Sequence, residues 1–179
     1  MDKKFKILAI SGSLRKGSYN NGLLEAAREL APKNCDFEIF SLKEIPIYNQ
    51  DEENPLPPSV AALKAKIKEA DSILIATPEY NYSFSGVLKN AIDWSSRPYG
   101  DNSWNNKKVG LMGASMGLQG TSRAQYHLRQ VFLCLNIHVL NKPEILISAA
   151  HEKFDKTGNL LDPKTKEKIL ELLSALMNT

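Results

Sequence analysis

Short apolar runs of strand length alternate with stretches of helical periodicity along the chain, and that alternation restricts the fold more than any other feature. Phe5–Ile10 (FKILAI) is the first run, Cys35–Ser41 the second, Ser72–Thr77 (SILIAT) the third and Lys108–Gly113 the fourth. A fifth lies within Ile137–Ser148, interrupted at Pro143. Between them Leu23, Leu24, Ala27, Leu30 and Ala31 recur at helical spacing, as do Val60, Leu63, Ile67 and Ala70. Val87, Leu88, Ala91 and Ile92 mark a third helix, Leu128, Val131, Phe132 and Leu135 a fourth, and Ile169, Leu172, Leu173 and Leu176 a fifth. Ser59 is placed to cap the second helix, and Asp162-Pro163 opens the last with a carboxylate cap and a first-turn proline. Strands joined through helices pair in parallel, and a parallel sheet needs cover on both faces. The expected fold is α/β, a three-layer sandwich around a five-stranded parallel sheet of order 2-1-3-4-5. With 179 residues, no internal repeat and no change of composition, one domain over residues 1–179 is expected.

Charge and cysteine usage narrow the partners. The net charge is +3 and scattered. The dense basic runs, Lys3/Lys4/Lys6 and Lys64–Lys68, read as solvated faces, so no nucleic-acid surface is expected. Cys35 and Cys134 lie far apart without a partner motif and read as free, buried thiols in a reducing compartment, Cys134 on the apolar side of the fourth helix. Met1–Lys6 is charged and runs into a strand, and no apolar run approaches membrane-spanning length. These features imply a cytoplasmic protein with no membrane partner and no metal site.

In a 2-1-3-4-5 sheet, the loops after strands 1, 3 and 4 open on one rim, beside the point where the chain reverses direction. The first, Ser11–Asn20 (SGSLRKGSYN), holds three hydroxyls (Ser11, Ser13, Ser18), the guanidinium of Arg15, the amide of Asn20, two glycines and no acid. It leads into a helix whose first N–H groups lack intrahelical partners, a composition suited to a phosphate dianion. The second, Pro78–Phe84 (PEYNYSF), brings aromatic surface and polar backbone together, as one edge of a planar heterocycle requires. The third, Gly113–Gly120 (GASMGLQG), is small and glycine-rich, so its main-chain N–H groups can approach that ring. Phosphate at one loop and a flat ring between the other two describe a mononucleotide site.

Sharper motifs fail. Gly17-Ser18-Tyr19 lacks the lysine of a Walker loop, and Gly12, Gly17 and Gly22 do not make GxGxxG. Strand 1 ends on Ser11-Gly12-Ser13 rather than on the acids of a receiver domain, and no cysteine precedes the anion loop as in a low-molecular-weight phosphatase. Gly113-Ala114-Ser115-Met116-Gly117 does match the GxSxG nucleophile elbow, but the only acid between Ser115 and His151 is Glu144. A serine hydrolase using Ser115 therefore stands as an alternative. Elsewhere Glu79 reads as a loop acid, Trp94 as packing helix 3 on the sheet, Trp104 as a loop or subunit contact, and Asp93 and Arg97 as helix-surface charges.

GSLRKGSYN, PEYNYSFSGVLKNAIDW and SMG…SRAQYHLRQ together resemble the NAD(P)H-dependent FMN reductase family, nearest its quinone and chromate reductases. The resemblance runs from strand 1 to Asn141-Lys142-Pro143-Glu144 and implies a flavodoxin-like fold, non-covalent FMN and a homodimer or homotetramer. It implies phosphate contacts from Ser13, Arg15, Ser18, Tyr19 and Asn20, and ring and ribityl contacts from Pro78, Glu79, Tyr80 and Asn81. Ser115, Met116 and Gly117 approach from the strand 4 side, with backbone donors facing flavin N1 and O2. Arg123, Tyr126 and Arg129 are candidate subunit contacts. The implied activity is ping-pong hydride transfer from NAD(P)H to FMN, then electron delivery to small acceptors (quinones, chromate, azo and nitro compounds, flavins), with no catalytic side chain. A flavodoxin-like electron carrier is the alternative that binds FMN without reacting with pyridine nucleotide; the basic pI of 8.8 weighs against it.

Overall fold

The computed structural model describes residues 4–178; Lys3 of the first basic run and the rest of Met1–Lys3 lie outside them. The elements are β1 (Phe5–Ser11), α1 (Tyr19–Leu30), β2 (Cys35–Phe40), α2 (Pro58–Glu69), β3 (Ser72–Ala76), α3 (Gly86–Ser95), β4 (Lys108–Ala114), α4 (Ser122–Cys134), β5 (His138–Val139), β6 (Ile145–Ile147) and α5 (Pro163–Met177). All strand pairs are parallel, in the order β2-β1-β3-β4-β5, with β6 also on β4. The expected fifth strand is thus two short ones, a correction that Pro143 explains. Its missing N–H and fixed φ break the ladder, and the chain rejoins β4 further along, at Met112 instead of Val109.

Strand residues are apolar on both sides because both sides are covered. Ile7, Ala9, Leu74, Ala76, Met112 and Ala114 pack under α1 and α5, through Leu23, Leu24, Ala27, Ile169, Leu172 and Leu176. Leu8, Ile10, Ile73, Ile75, Val109 and Leu111 pack against α2, α3 and α4. Period-two alternation therefore builds two cores from one set of strands, the pattern of a doubly wound sheet.

Several local expectations change. The second helix begins two residues earlier than a Ser59 cap would place it, at Pro58, and Ser59 is not its cap. Lys64 is not solvated: it is 3% exposed and its ammonium donates to the carbonyls of Ser95, Arg97 and Asp101 at the end of α3. Burial pushes its pKa down, and Asp101 opposes that. Trp94 packs α3 against the loop after β2, not the sheet, donating from Nε1 to Pro46 O at 2.9 Å and lying edge-on to Tyr48. Trp104 is fully buried, stacked on Phe132 and bonded to Ser95 Oγ at 2.7 Å, so it is core rather than a subunit contact. Arg97 turns inward, its Nε 2.7 Å from Glu53 and its guanidinium over Tyr99. Asp93 remains at the surface as an ion pair with Lys89. Cys134 is exposed, because α4 turns its last residues outward once Phe132 has filled the core, and Cys35 is half-buried at the start of the edge strand β2.

Candidate active site

Register brings the three loops together. Ser11 pairs with Ala76 and Ala76 with Met112, so β1, β3 and β4 end at one level. The backbone continues the alignment past the strands: Gly12 N–H donates to Ala76 O, Thr77 N–H to Met112 O and Ser115 N–H to Ile147 O. Such close spacing needs small residues. A Cβ on Gly113 would stand 2.0 Å from Thr121 Oγ1 and 2.5 Å from Thr77 O. Ser85, the cap of α3, donates to Gly12 O at 2.6 Å and locks the first loop to the third helix.

Between these loops lies a cleft of about 340 Å³ lined by Ser13, Arg15, Ser18, Tyr19, Asn20, Pro78, Glu79, Tyr80, Ala114, Ser115 and Met116. Of the expected site residues, Asn81 and Gly117 line instead an adjoining cleft of similar size, which shares Glu79 and Ser115 with the first.

At the α1 end, Ser18 caps the helix by accepting from Asn20 N–H at 3.2 Å, and Ser13 Oγ accepts from Arg15 N–H at 3.4 Å. Each hydroxyl keeps its own proton for a ligand. No acid stands in the first turn of α1, and Arg15 is exposed with no carboxylate partner among the described residues, lying 5.9 Å from the Tyr19 ring centre. The donor set fits a phosphate monoester. Ser11 is different: its hydroxyl lies 2.5 Å from Asn21 Oδ1 and lines a separate hollow beneath the loop. Asn20 also spends its side chain elsewhere. Its carboxamide is buried, accepting from Ala114 N–H at 2.9 Å and donating to Ala114 O at 3.1 Å. It ties α1 to β4, and with its N–H bonded to Ser18 Oγ the residue shapes the cradle instead of supplying its free donors.

At the ring end, Tyr80-Asn81-Tyr82-Ser83 is a two-residue hairpin, with Tyr80 and Ser83 exchanging N–H···O bonds of 2.9 Å. Asn81 and Tyr82 have φ of +49° and +67°, as a type I′ turn requires. On the β4 side the backbone is less open than expected. Ser115 N–H is bonded to Ile147 O, Ser115 O accepts from Ala150 N–H, and Gly117 N–H donates to Ser115 Oγ at 3.0 Å. Among the described residues, Met116 N–H is the donor of that trio without a hydrogen-bond partner.

Glu79 is the largest departure. It is a buried hub, its side chain 6% exposed. Oε2 accepts from the N–H groups of Arg123 (3.1 Å) and Ala124 (3.3 Å), and Oε1 lies 2.5 Å from the Arg123 guanidinium. Thr121 gives α4 no side-chain cap, so a carboxylate from the loop after β3 performs that task, where the helix dipole favours negative charge. The resemblance offers Arg123 only as a subunit contact, and neither its pairing with Glu79 nor this capping was legible in the sequence: the partners stand 44 positions apart.

The sequence model of a known family, NADPH-dependent FMN reductase, matches residues 5–152. The chain belongs to that family. Over 177 residues it is 49% identical to the NAD(P)H-dependent FMN reductase of Pseudomonas aeruginosa, covering 98% of this chain and 95% of that protein. It is 40% identical over 179 residues to the quinone reductase of Escherichia coli K12, with 98% and 95% covered. Among solved structures, the flavoenzyme NAD(P)H:(acceptor) oxidoreductase FerB of Paracoccus denitrificans superposes with a TM-score of 0.87 at 35% identity, covering 96% of this chain and 94% of that one. As an FMN reductase family member the chain is an oxidoreductase of flavodoxin-like fold that works with FMN and NAD(P)H.

Proposed function

We propose that this chain carries FMN in the cleft between α1, the loop after β3 and the loop after β4, and reduces quinones and related small acceptors at the expense of NAD(P)H. The observation that carries the reading is an acid-free phosphate cradle on the same rim, and in the same cleft, as the Tyr80–Ser83 hairpin. Ser13, Arg15 and Ser18 hold the phosphate with the first N–H groups of α1. Pro78, Glu79, Tyr80 and Asn81 bound one side of the ring and ribityl chain, and Ser115, Met116 and Gly117 the other. Hydrogen bonds to a charged partner contribute roughly 1.5–3 kcal/mol each. Three or four reach the roughly 8 kcal/mol of micromolar retention. Bound FMN supplies two-electron chemistry between the pyridine nucleotide and the acceptor. The protein orients it, leaves one side of the cleft open, and needs no nucleophile. Ser115 in particular has its hydroxyl accepting from Gly117 N–H, and no histidine bonds it among the described residues, which disfavours the hydrolase reading.

Residues 1–179 act in this proposal as one FMN-binding domain. No helix among the described residues is long and apolar enough to cross a membrane, and we place the protein in the cytoplasm. The exposed Tyr82 and Leu118 at the adjoining cleft, with the exposed Tyr126 on α4, favour a homodimer or homotetramer. The deciding experiment is optical. Apoprotein given FMN should turn yellow, bleach with NADPH or NADH and recover on addition of a quinone. Uptake without bleaching would indicate an electron carrier, and failure to retain FMN supplied in excess would reject the reading.

A further inference from the structure

Tyr82 sits at φ +67°, a backbone region in which an aromatic residue is an outlier, and the residue is 67% exposed. Strained positions of this kind persist where surrounding contacts over-determine them. Here the contacts come from α4. The Arg123 guanidinium lies 3.8 Å from the Tyr82 ring centre and pairs through Nε and Nη2 with the buried Glu79 carboxylate. One turn on, His127 Nδ1 is 3.2 Å from Ser83 Oγ. Glu79, Arg123 and Tyr82 form a stack that begins at the helix N-terminus and ends on the tip of the hairpin bounding the cleft.

We propose that Arg123 is a positioning residue for the ring side of the cleft: its planar cation holds Tyr82, and with it the Tyr80–Ser83 hairpin, in the conformation that receives the isoalloxazine. The inference rests on the FMN reading above. A turn designed only for its own geometry would carry glycine after Asn81. Tyrosine there costs turn stability and gains a ring for Arg123 to grip. Lysine would keep the ion pair with Glu79 but lose the flat face that stacks.

The test uses full-length apoprotein in two arms. Amide exchange of residues 79–84 reports the hairpin without any ligand. Titration with riboflavin and with FMN separates ring contacts from phosphate contacts. Arg123→Ala and Tyr82→Ala should both speed hairpin exchange and weaken riboflavin and FMN by the same factor, roughly tenfold. Their ratio should stay constant because the phosphate cradle is untouched. Arg123→Lys should behave like Arg123→Ala in the exchange arm, and Tyr82→Phe like the parent protein. Tyr82→Ala removes the ring without relieving the positive φ, and it leaves the Glu79–Arg123 pair intact, so it remains informative if Arg123→Ala fails to fold. Unchanged or slower exchange in Tyr82→Ala, or riboflavin affinity unaltered in it, would overturn the proposal. A parent apoprotein that binds neither flavin would instead refute the FMN reading, while the exchange arm still judged the stack.

Discussion

At the scale of single residues, a side chain's task follows from which of its atoms are already committed. Among the described residues Arg15 has no carboxylate partner and Ser13 and Ser18 donate their protons to nothing, whereas Asn20, chemically as good a donor, is spent on Ala114. Arg15→Ala should therefore weaken FMN by about 1.5–3 kcal/mol while leaving thermal stability of the apoprotein unchanged. Fluorescence titration and a melting curve separate the two effects. Asp162 shows the same logic away from the site. Its carboxylate accepts from Thr165 N–H at 2.9 Å and Oγ1 at 2.6 Å, and the Thr165 hydroxyl first, then its backbone N–H, holds the pKa below the usual carboxylate range against a desolvation that raises it. A depressed folded-state pKa means a contribution fully present above the ordinary carboxylate pKa and lost as pH falls through the folded value. Asp162→Ala should cost about 1 kcal/mol at neutral pH, with the deficit vanishing in strong acid; Asp162→Asn should keep a cap that does not titrate. Urea melts across the acid range check both.

Two helix ends in this fold are closed by residues from elsewhere in the chain. The α4 N-terminus takes its cap from Glu79, and the end of α3 takes its cap from Lys64 on α2. Lys64 places three carbonyls, including Asp101 O at 2.7 Å, on one buried ammonium. Lys64→Met preserves the apolar stem but orphans those acceptors, and should destabilise the protein by about 3 kcal/mol in chemical denaturation. A cost below about 1 kcal/mol would show that the carbonyls find other partners. Gly113 marks the same crowding in β4: alanine there meets Thr121 and the Thr77 carbonyl, and about 1–3 kcal/mol of overpacking is expected, measurable by the same method.

For the molecule as a whole, the site sits where the sheet order reverses, and ligand binding there couples to folding by mass action. FMN at a hundred times its Kd should stabilise the native state by about 2.7 kcal/mol. For a chain of this size, that raises Tm by roughly 5–11 °C. Riboflavin, lacking the phosphate, should raise it less. Equal shifts for the two would mean that the α1 cradle contributes nothing to retention.

Periodicity in the sequence determined the alternation of strands and helices and the two-sided burial of the sheet, because repeating patterns of three to four and of two residues are local and follow from backbone geometry. The composition of Ser11–Asn20 likewise announced an anion loop, since a lack of acids and a helix start are both readable in ten neighbouring residues. Tertiary structure alone decided that Asn20 reaches across to β4, that Lys64 is buried, that β5 and β6 share an edge, and that Glu79 caps α4 through Arg123 and its neighbour. Each of those is a hydrogen-bonding obligation met between segments tens of residues apart, and such a match leaves no periodic or compositional trace in either segment.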